Sequence, residues 1–401
     1  MGALSGVKIL ELGQVVAAPF CGALLGDFGA EVTKVESITG DGLRNMGPQY
    51  DGRSLWFNVE NRNKKVISVN LKDDEGKAIL KKMIVEADVM IENFRPGILE
   101  KLGFDIETIR SINPSIIVTR LSGYGQTGPY RKRAGYDRGG VGMGGLTYIT
   151  GFQDRPPLKP GVSVADYLVG FSAAYGIMLA LYERDIKGSG KGQEIDIALF
   201  EPIFRILEFT ALNYHLTGTV RERTGNTFVA TVPSGHFQSK DGKWISIALA
   251  NDKLFTKLAQ LIGRADWLER EEFKTQVQRQ ENRTEIDQYT EQWINEHSAK
   301  ECFDILGDFI PMGPIYDIAS IFEDPHYKAR GDIIEVSDER WGKVKMQGIV
   351  PKLSRTPGSV NWLGPDLGEN SLEILQELGY KAMEIERLKQ SGVVKFKENK
   401  R

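Results

Sequence analysis

Asp166 is the side chain whose type and setting most directly suggest chemistry. It lies at the end of Leu158-Lys159-Pro160-Gly161-Val162-Ser163-Val164-Ala165-Asp166, where an apolar run through Leu168, Val169, Phe171, Ala174, Ile177, Met178 and Leu181 begins. That spacing predicts a largely buried helix with a carboxylate at its positive end, where it is expected to stay ionised and able to attack an electrophile. A structural role competes with this one. An aspartate at a helix start commonly serves as the N-cap, accepting first-turn N–H groups and doing no chemistry, and on this stretch alone that role is favoured.

Other residue types narrow the choice. Cys21, Cys302, His215, His236, His297 and His326 are scattered without C-x-x-C or H-E-x-x-H spacing, so neither a structural disulfide nor a metal site is expected. Gly123-Tyr124-Gly125-Gln126-Thr127-Gly128 matches half of a dinucleotide fingerprint, but Pro129 to Gly135 opens no apolar helix, and these glycines are read as turn residues. The first βαβ unit ends in Glu36, as a ribose-binding acid would, yet its loop from Gly13 to Ala18 lacks the glycines that admit a pyrophosphate. A nicotinamide cofactor is therefore not expected, and an NAD-dependent dehydrogenase is a distant alternative.

A net charge of −3 at a pI near 6.0 supplies no field for a polyanion, which argues against nucleic acid as a partner. The start, Met1 to Lys8, has no charged n-region ahead of an apolar core, and no stretch reaches about 18 uninterrupted apolar residues. No membrane association is expected, and the protein is read as cytoplasmic.

These residues need a scaffold, and its pattern is visible. Val7–Leu12, Glu31–Val35, Val66–Val69, Val89–Ile91, Ile116–Leu121 and Gln193–Ala198 read as strands, separated by helical runs at Pro19–Asp27, Asp73–Glu86, Ile98–Leu102 and Ile106–Ile112. Such alternation predicts an α/β fold with a parallel sheet covered by helices on both faces. Gly139–Gly161 reads as loop. The polar stretch Val220–Ser234 marks a boundary, beyond which a hairpin around Asp241-Gly242 and charged amphipathic helices over Lys253–Gly307 predict a smaller α+β domain. Residues 1–220 would form the large domain, 221–330 the small one and 331–401 a return to the large one. Ser371–Leu378 reads as the last clear helix, and Lys395–Arg401 as a charged, frayed tail.

The ordered succession of several segments resembles the class III coenzyme A transferases of the CaiB/BaiF type, the family that includes formyl-CoA and carnitine CoA-transferases. The segments are Ile9-Leu10-Glu11-Leu12 through Ala17-Ala18-Pro19-Phe20, Leu25 through Glu36, Glu92-Asn93-Phe94-Arg95-Pro96-Gly97, Gly123-Tyr124-Gly125, Ala134-Gly135-Tyr136-Asp137, Gly190-Lys191-Gly192-Gln193, Gly313-Pro314-Ile315 and Asp324-Pro325-His326.

The resemblance implies a Rossmann-like large domain and an interlocked, ring-like homodimer. It implies Asp166 as nucleophile, passing through a mixed anhydride and an aspartyl-CoA thioester, with backbone N–H groups of the Asp166 helix and nearby glycines holding the oxyanion. For coenzyme A it points to Val15, Val16, Ala17, Lys72, Asn93, Phe94, Lys101 and Tyr136. Phe94 would offer a face to adenine, and Lys72 and Lys101 charge to phosphates. Val16 replaces a glutamine and Ala134 a lysine of the formyl-CoA transferases, which argues against formyl and oxalate substrates. The related α-methylacyl-CoA racemases carry histidine where Tyr136 stands, so an isomerase is the second reading. Arg44, Arg138 and Arg205 are candidates to pair with the distal carboxylate of a dicarboxylic acid such as succinate, and each is equally suited to a surface ion pair.

Overall fold

The computed structural model describes residues 2–228 and 230–397. It divides the chain into two compact units, Met1–Leu146 with Lys159–Leu212 and Gly331–Arg401, and Thr147–Leu158 with Asn213–Arg330.

In the first unit, strands β1 (Lys8–Glu11), β2 (Glu31–Glu36), β3 (Lys64–Val69), β4 (Val89–Glu92), β5 (Ile117–Ser122) and β6 (Glu194–Ala198) form a parallel sheet in the order 3-2-1-4-5-6. A short antiparallel strand, Val394–Lys395, closes the β3 edge, so the sheet is mixed. Residues 398–401 of the tail read above as frayed lie outside the described residues.

Side chains alternate along each strand. Leu10 and Met90 enter one core with helix Asp74–Glu86, while Ile9, Val89 and Ile91 enter the other with helix α1 (Ala17–Asp27) and helix α2 (Val164–Leu181). Both faces are thus buried, and this is why the strands read as continuous apolar runs. Two chain-terminal helices, Ser371–Glu377 and Ala382–Gln390, complete the first core. The second of them was not foreseen: its apolar contacts, Ile385 and Leu388, are too few among charged residues to mark a face from sequence. Helices Asp137–Met143 and Leu146–Ile149 likewise occupy part of the segment read as loop. Glycine-rich Asp137–Met143 is held by packing of Gly140 and Val141, not by helix propensity.

Helix α2 shows no single apolar face because nearly every residue is apolar. Ala165, Val169, Gly170, Ala173, Ile177 and Ala180 are buried, whereas Phe171, Tyr175, Met178 and Leu179 are exposed along the opposite side. With its continuation to Ile186 it reaches a mean hydropathy of 1.6 over 18 residues, long and apolar enough by composition to cross a membrane. That qualifies the expectation that no segment resembles a span.

The second unit is α+β. Strands Ser234–Gln238, Trp244–Ala248 and Met312–Pro314 form an antiparallel sheet, packed with helices Asp252–Leu261, Arg283–Glu296 and Ala299–Leu306 around a fully buried Trp267.

Gly170 lets α2 approach α1: a Cβ there would lie 2.8 Å from the Phe20 ring and 2.9 Å from the Ala17 carbonyl. Gly170→Val is therefore expected to destabilise the fold by about 1–3 kcal/mol through overpacking, read as a lowered urea midpoint with an unchanged slope.

Candidate functional site

In a 3-2-1-4-5-6 sheet the crossovers after β1 and β4 leave in opposite directions, and a crevice opens at their carboxyl ends. A cavity of about 200 Å³ lies there, lined by Gln14 to Ala17 after β1, Asn93 to Arg95 after β4, Leu121 to Gly123 after β5, then Gly135, Tyr136, Asp166 and Leu199. This volume is below the roughly 300–1,000 Å³ typical of small-molecule sites, so the cavity accommodates one end of a coenzyme-sized ligand.

The structure brings seven of the nine sequence-predicted residues to this cavity: Val15, Val16, Ala17, Asn93, Phe94, Tyr136 and Asp166. Lys72 and Lys101 are exposed and line no part of it. Periodicity alone does not say where two exposed loop and helix-end lysines are aimed. Arg95, inside the quoted Glu92 to Gly97 motif, was not among the predicted residues, and it is the one cationic residue lining the cavity among the described residues.

The N-cap question resolves at Asp137. Helix α2 begins at Val164 after Ser163, which makes no side-chain cap, and the Asp137 carboxylate accepts the Ala165 N–H at 2.8 Å. Asp166 is thus relieved of capping. Among the described residues its carboxylate has no hydrogen bond or ion pair.

Burial, aided by the negative charges of Asp137 and Glu60, pushes Asp166 up to about 7. The expectation that helix position keeps it fully ionised is corrected: desolvation and two neighbouring acids outweigh the helix dipole. Glu60 is itself buried, and accepts the Tyr167 hydroxyl at 2.8 Å, while Trp56 Nε1 donates to the same hydroxyl at 3.1 Å.

Some N–H groups at the head of the Asp166 helix are already engaged. At the start of α2, Val164 N–H goes to the Val162 carbonyl, Ala165 to Asp137 and Tyr167 to the Ser163 carbonyl. Helix α1, by contrast, has no side-chain cap and no acid in its first turn, and the Val16 and Ala17 N–H groups at the cavity have no partner among the described residues. Two such donors would suit a developing negative charge.

Neighbouring groups are firmly placed. Asn93 bonds both backbone groups of Gln14, accepting its N–H and donating to its carbonyl at 2.8 Å each. Glu92, pushed up to about 7 by burial despite Arg120 beside it, accepts the Phe94 N–H at 2.6 Å. Gly123 lies in a bend after β5, and a Cβ on it would lie 2.6 Å from Gly135 Cα, so glycine is needed where the two segments of backbone meet. Gly125 and Gly128 do adopt positive φ, as turns require.

Glu36 is held by Arg44 at 2.8 and 2.9 Å, and Arg44 further donates to the Pro365 carbonyl and covers the Phe57 ring. That commits the residue a ribose would need and removes Arg44 as a candidate for a substrate carboxylate. Arg138 and Arg205 are exposed and outside the cavity. No histidine lines the cavity, and among the described residues no group of three or more metal-ligating side chains is found.

Residues 4–371 match the model of CoA-transferase family III. The chain belongs to this family. A succinyl-CoA–D-citramalate CoA-transferase of Chloroflexus aurantiacus is 43% identical over 94% of both chains, and the alpha subunit of a succinyl-CoA–L-malate CoA-transferase of Chloroflexus aurantiacus is 38% identical over 98% of this chain and 92% of its own. A crystal structure of a CaiB/BaiF family protein from Brucella suis superposes with a TM-score of 0.83 at 36% identity, covering 94% of this chain and 99% of that one. The protein is accordingly a CoA-transferase, with coenzyme A thioesters as substrates, and the fold shared with the Brucella protein carries the cavity at its switch point.

An acid whose folded-state pKa is raised from 3.8 to about 7 costs stability that is absent below pH 4 and fully developed above pH 7. In this family III CoA-transferase, Asp166→Asn is expected to leave stability nearly unchanged at pH 4 and to raise it by roughly 2–4 kcal/mol at pH 8. Denaturant unfolding of both proteins at the two pH values measures it, and equal gaps at both would contradict the unpaired burial described here.

Proposed function

We propose that this CoA-transferase moves CoA between a dicarboxylic acyl-CoA such as succinyl-CoA and a free dicarboxylic acid, with Asp166 as the covalent nucleophile. The observation that carries the reading is the unpaired Asp166 carboxylate in a cavity that also presents free backbone donors from α1. The substrate class rests on the names of the two Chloroflexus relatives, each pairing succinyl-CoA with a dicarboxylic acid.

The Asp166 carboxylate attacks the thioester carbonyl, the C–S bond breaks, and a mixed anhydride and CoA thiolate result. The thiolate attacks the aspartyl carbonyl, releasing the donor acid and leaving an aspartyl-CoA thioester. The acceptor carboxylate attacks that thioester, expelling thiolate again and forming a second anhydride. The thiolate then takes the acceptor's acyl carbon, giving the new acyl-CoA and free Asp166. Every step exchanges one acyl bond for another, so the thioester's free energy is retained provided water is kept from the intermediates. The Val16 and Ala17 N–H groups would hold the oxyanion, worth roughly 3–4 kcal/mol per donor where such donors have been removed.

Arg95 at the cavity wall supplies positive charge toward a phosphate of CoA or the distal carboxylate. The homodimer belongs to the same reading. The exposed stripe Phe171, Tyr175, Met178 and Leu179 recurs at helical spacing, which suits burial against a second protomer.

Two outcomes test the mechanism. Wild-type protein mixed with succinyl-CoA and quenched is expected to carry a hydroxylamine-sensitive adduct at Asp166 by intact-mass and peptide mass spectrometry, and Asp166→Ala is expected to lose at least 10³-fold in exchange rate, an order-of-magnitude expectation for a deleted nucleophile. Because the attacking form is the carboxylate, kcat/KM should rise with pH up to about 7 and level off above it. A profile flat from pH 5 to 8 would remove Asp166 in its ionised form from the rate-determining chemistry.

A further inference from the structure

Val15, a β-branched residue at the cavity, has a φ of 65°, in the left-handed region that such side chains rarely adopt. The backbone around it is pinned from below by buried charges. Asp41 accepts the Val15 N–H at 3.0 and 3.2 Å through its two oxygens, and Lys34 Nζ donates to the Gly13 carbonyl at 2.6 Å. Lys34 and Asp41 are 2.9 Å apart, with Glu11 on the other side of the ammonium at 2.9 Å, and all three side chains are inaccessible to solvent. Asp41 also accepts the Leu43 N–H at 2.9 Å, and this holds the carboxylate from the far side.

We propose that the buried Glu11–Lys34–Asp41 chain is a positioning device that holds Val15 in its left-handed conformation, and so fixes the backbone that leads into the unpartnered Val16 and Ala17 N–H groups at the cavity. Asp41 and Lys34 act through Val15 and are positioning residues, not catalytic ones. The inference rests on the reading that acyl transfer takes place at Asp166 beside this loop.

Physical logic favours this over a role in stability alone. A fully buried ion pair contributes little net stability relative to apolar packing, because desolvation offsets its attraction. Here both ions also bond the backbone of one loop, Lys34 at the Gly13 carbonyl and Asp41 at the Val15 N–H. A loop whose Gly13 carbonyl, Gln14 backbone groups and Val15 N–H are all engaged has no freedom to relax the strained residue.

The test is a rescue. Asp41→Asn, close in shape but uncharged, is expected to lower the rate of adduct formation at Asp166 by about 10- to 100-fold in a single turnover, the scale of a misplacement near 1 Å, while the Kd for free CoA changes less than threefold. Adding Val15→Gly, which adopts positive φ without strain, is expected to recover most of that loss. Adding Val15→Ala, which keeps the strain, is expected to recover none. Circular dichroism and thermal unfolding verify that each variant folds. If Asp41→Asn forms adduct at the wild-type rate, or if glycine and alanine behave alike at position 15, the proposal is overturned. Absence of any adduct in wild-type protein would instead defeat the Asp166 reading itself, and the two failures are thereby distinguished.

Discussion

An ionisable carboxylate taken out of water and left without a partner is costly, and the first unit is organised around tolerating one. Asp166 stands where a helix start would ordinarily absorb its charge, but Asp137 has taken the Ala165 N–H, and Asp137 and Glu60 add repulsion. Desolvation and like charge both push the proton affinity upward, to the range in which a group exchanges between acid and nucleophile near neutrality. The cavity, the unpaired donors of α1 and the firm placement of surrounding loops gain significance from that one unsatisfied group.

Elsewhere in this unit several buried charges are neutralised by ion pairs. Lys34 lies between Glu11 and Asp41, and although burial pulls its ammonium down, the surrounding carboxylates prevail and hold it above the ordinary range. Lys64 faces the other oxygen of Glu11 and donates to the Pro19 carbonyl, yet here burial wins and the ammonium is pulled down. Arg62 pairs with Asp27, and Arg120 with Glu92 and Glu100. Of these groups, Glu11 and Glu92 close the carboxyl ends of β1 and β4. Among the described residues, buried Glu60 has no ion pair but accepts the Tyr167 hydroxyl, whereas the Asp166 carboxylate has neither ion pair nor hydrogen bond, a contrast that marks it out on physical grounds independent of family likeness.

The apolar helix α2 shows how one sequence feature serves two demands. Its small buried residues, with Gly170 at the closest approach, let it lie against α1 so that Asp166 and the Val15 to Ala17 loop border the same cavity. Its larger side chains, Phe171, Tyr175 and Met178, are left on the open side. Composition alone does not separate these two faces, since both are apolar.

Much of the architecture was legible because its signals are local. Continuous apolar strands alternating with helices of period 3.6 indicate a parallel sheet buried on both faces, and the carboxylate at the head of a long apolar helix is visible in the order of residues. What escaped were features set by register and crossing. Glu11 meets Lys34 because β1 and β2 pair at that step, and neither residue advertises the other from 23 positions away. Asp137 caps a helix 28 residues later, Arg44 is consumed by Glu36, and Lys72 and Lys101 fall outside the cavity, all through contacts between segments. The sequence by itself determined which groups are present and which elements they ride on. Tertiary structure alone decided which charges are neutralised, because Coulomb and desolvation energies depend on distances and burial that no one-dimensional pattern contains.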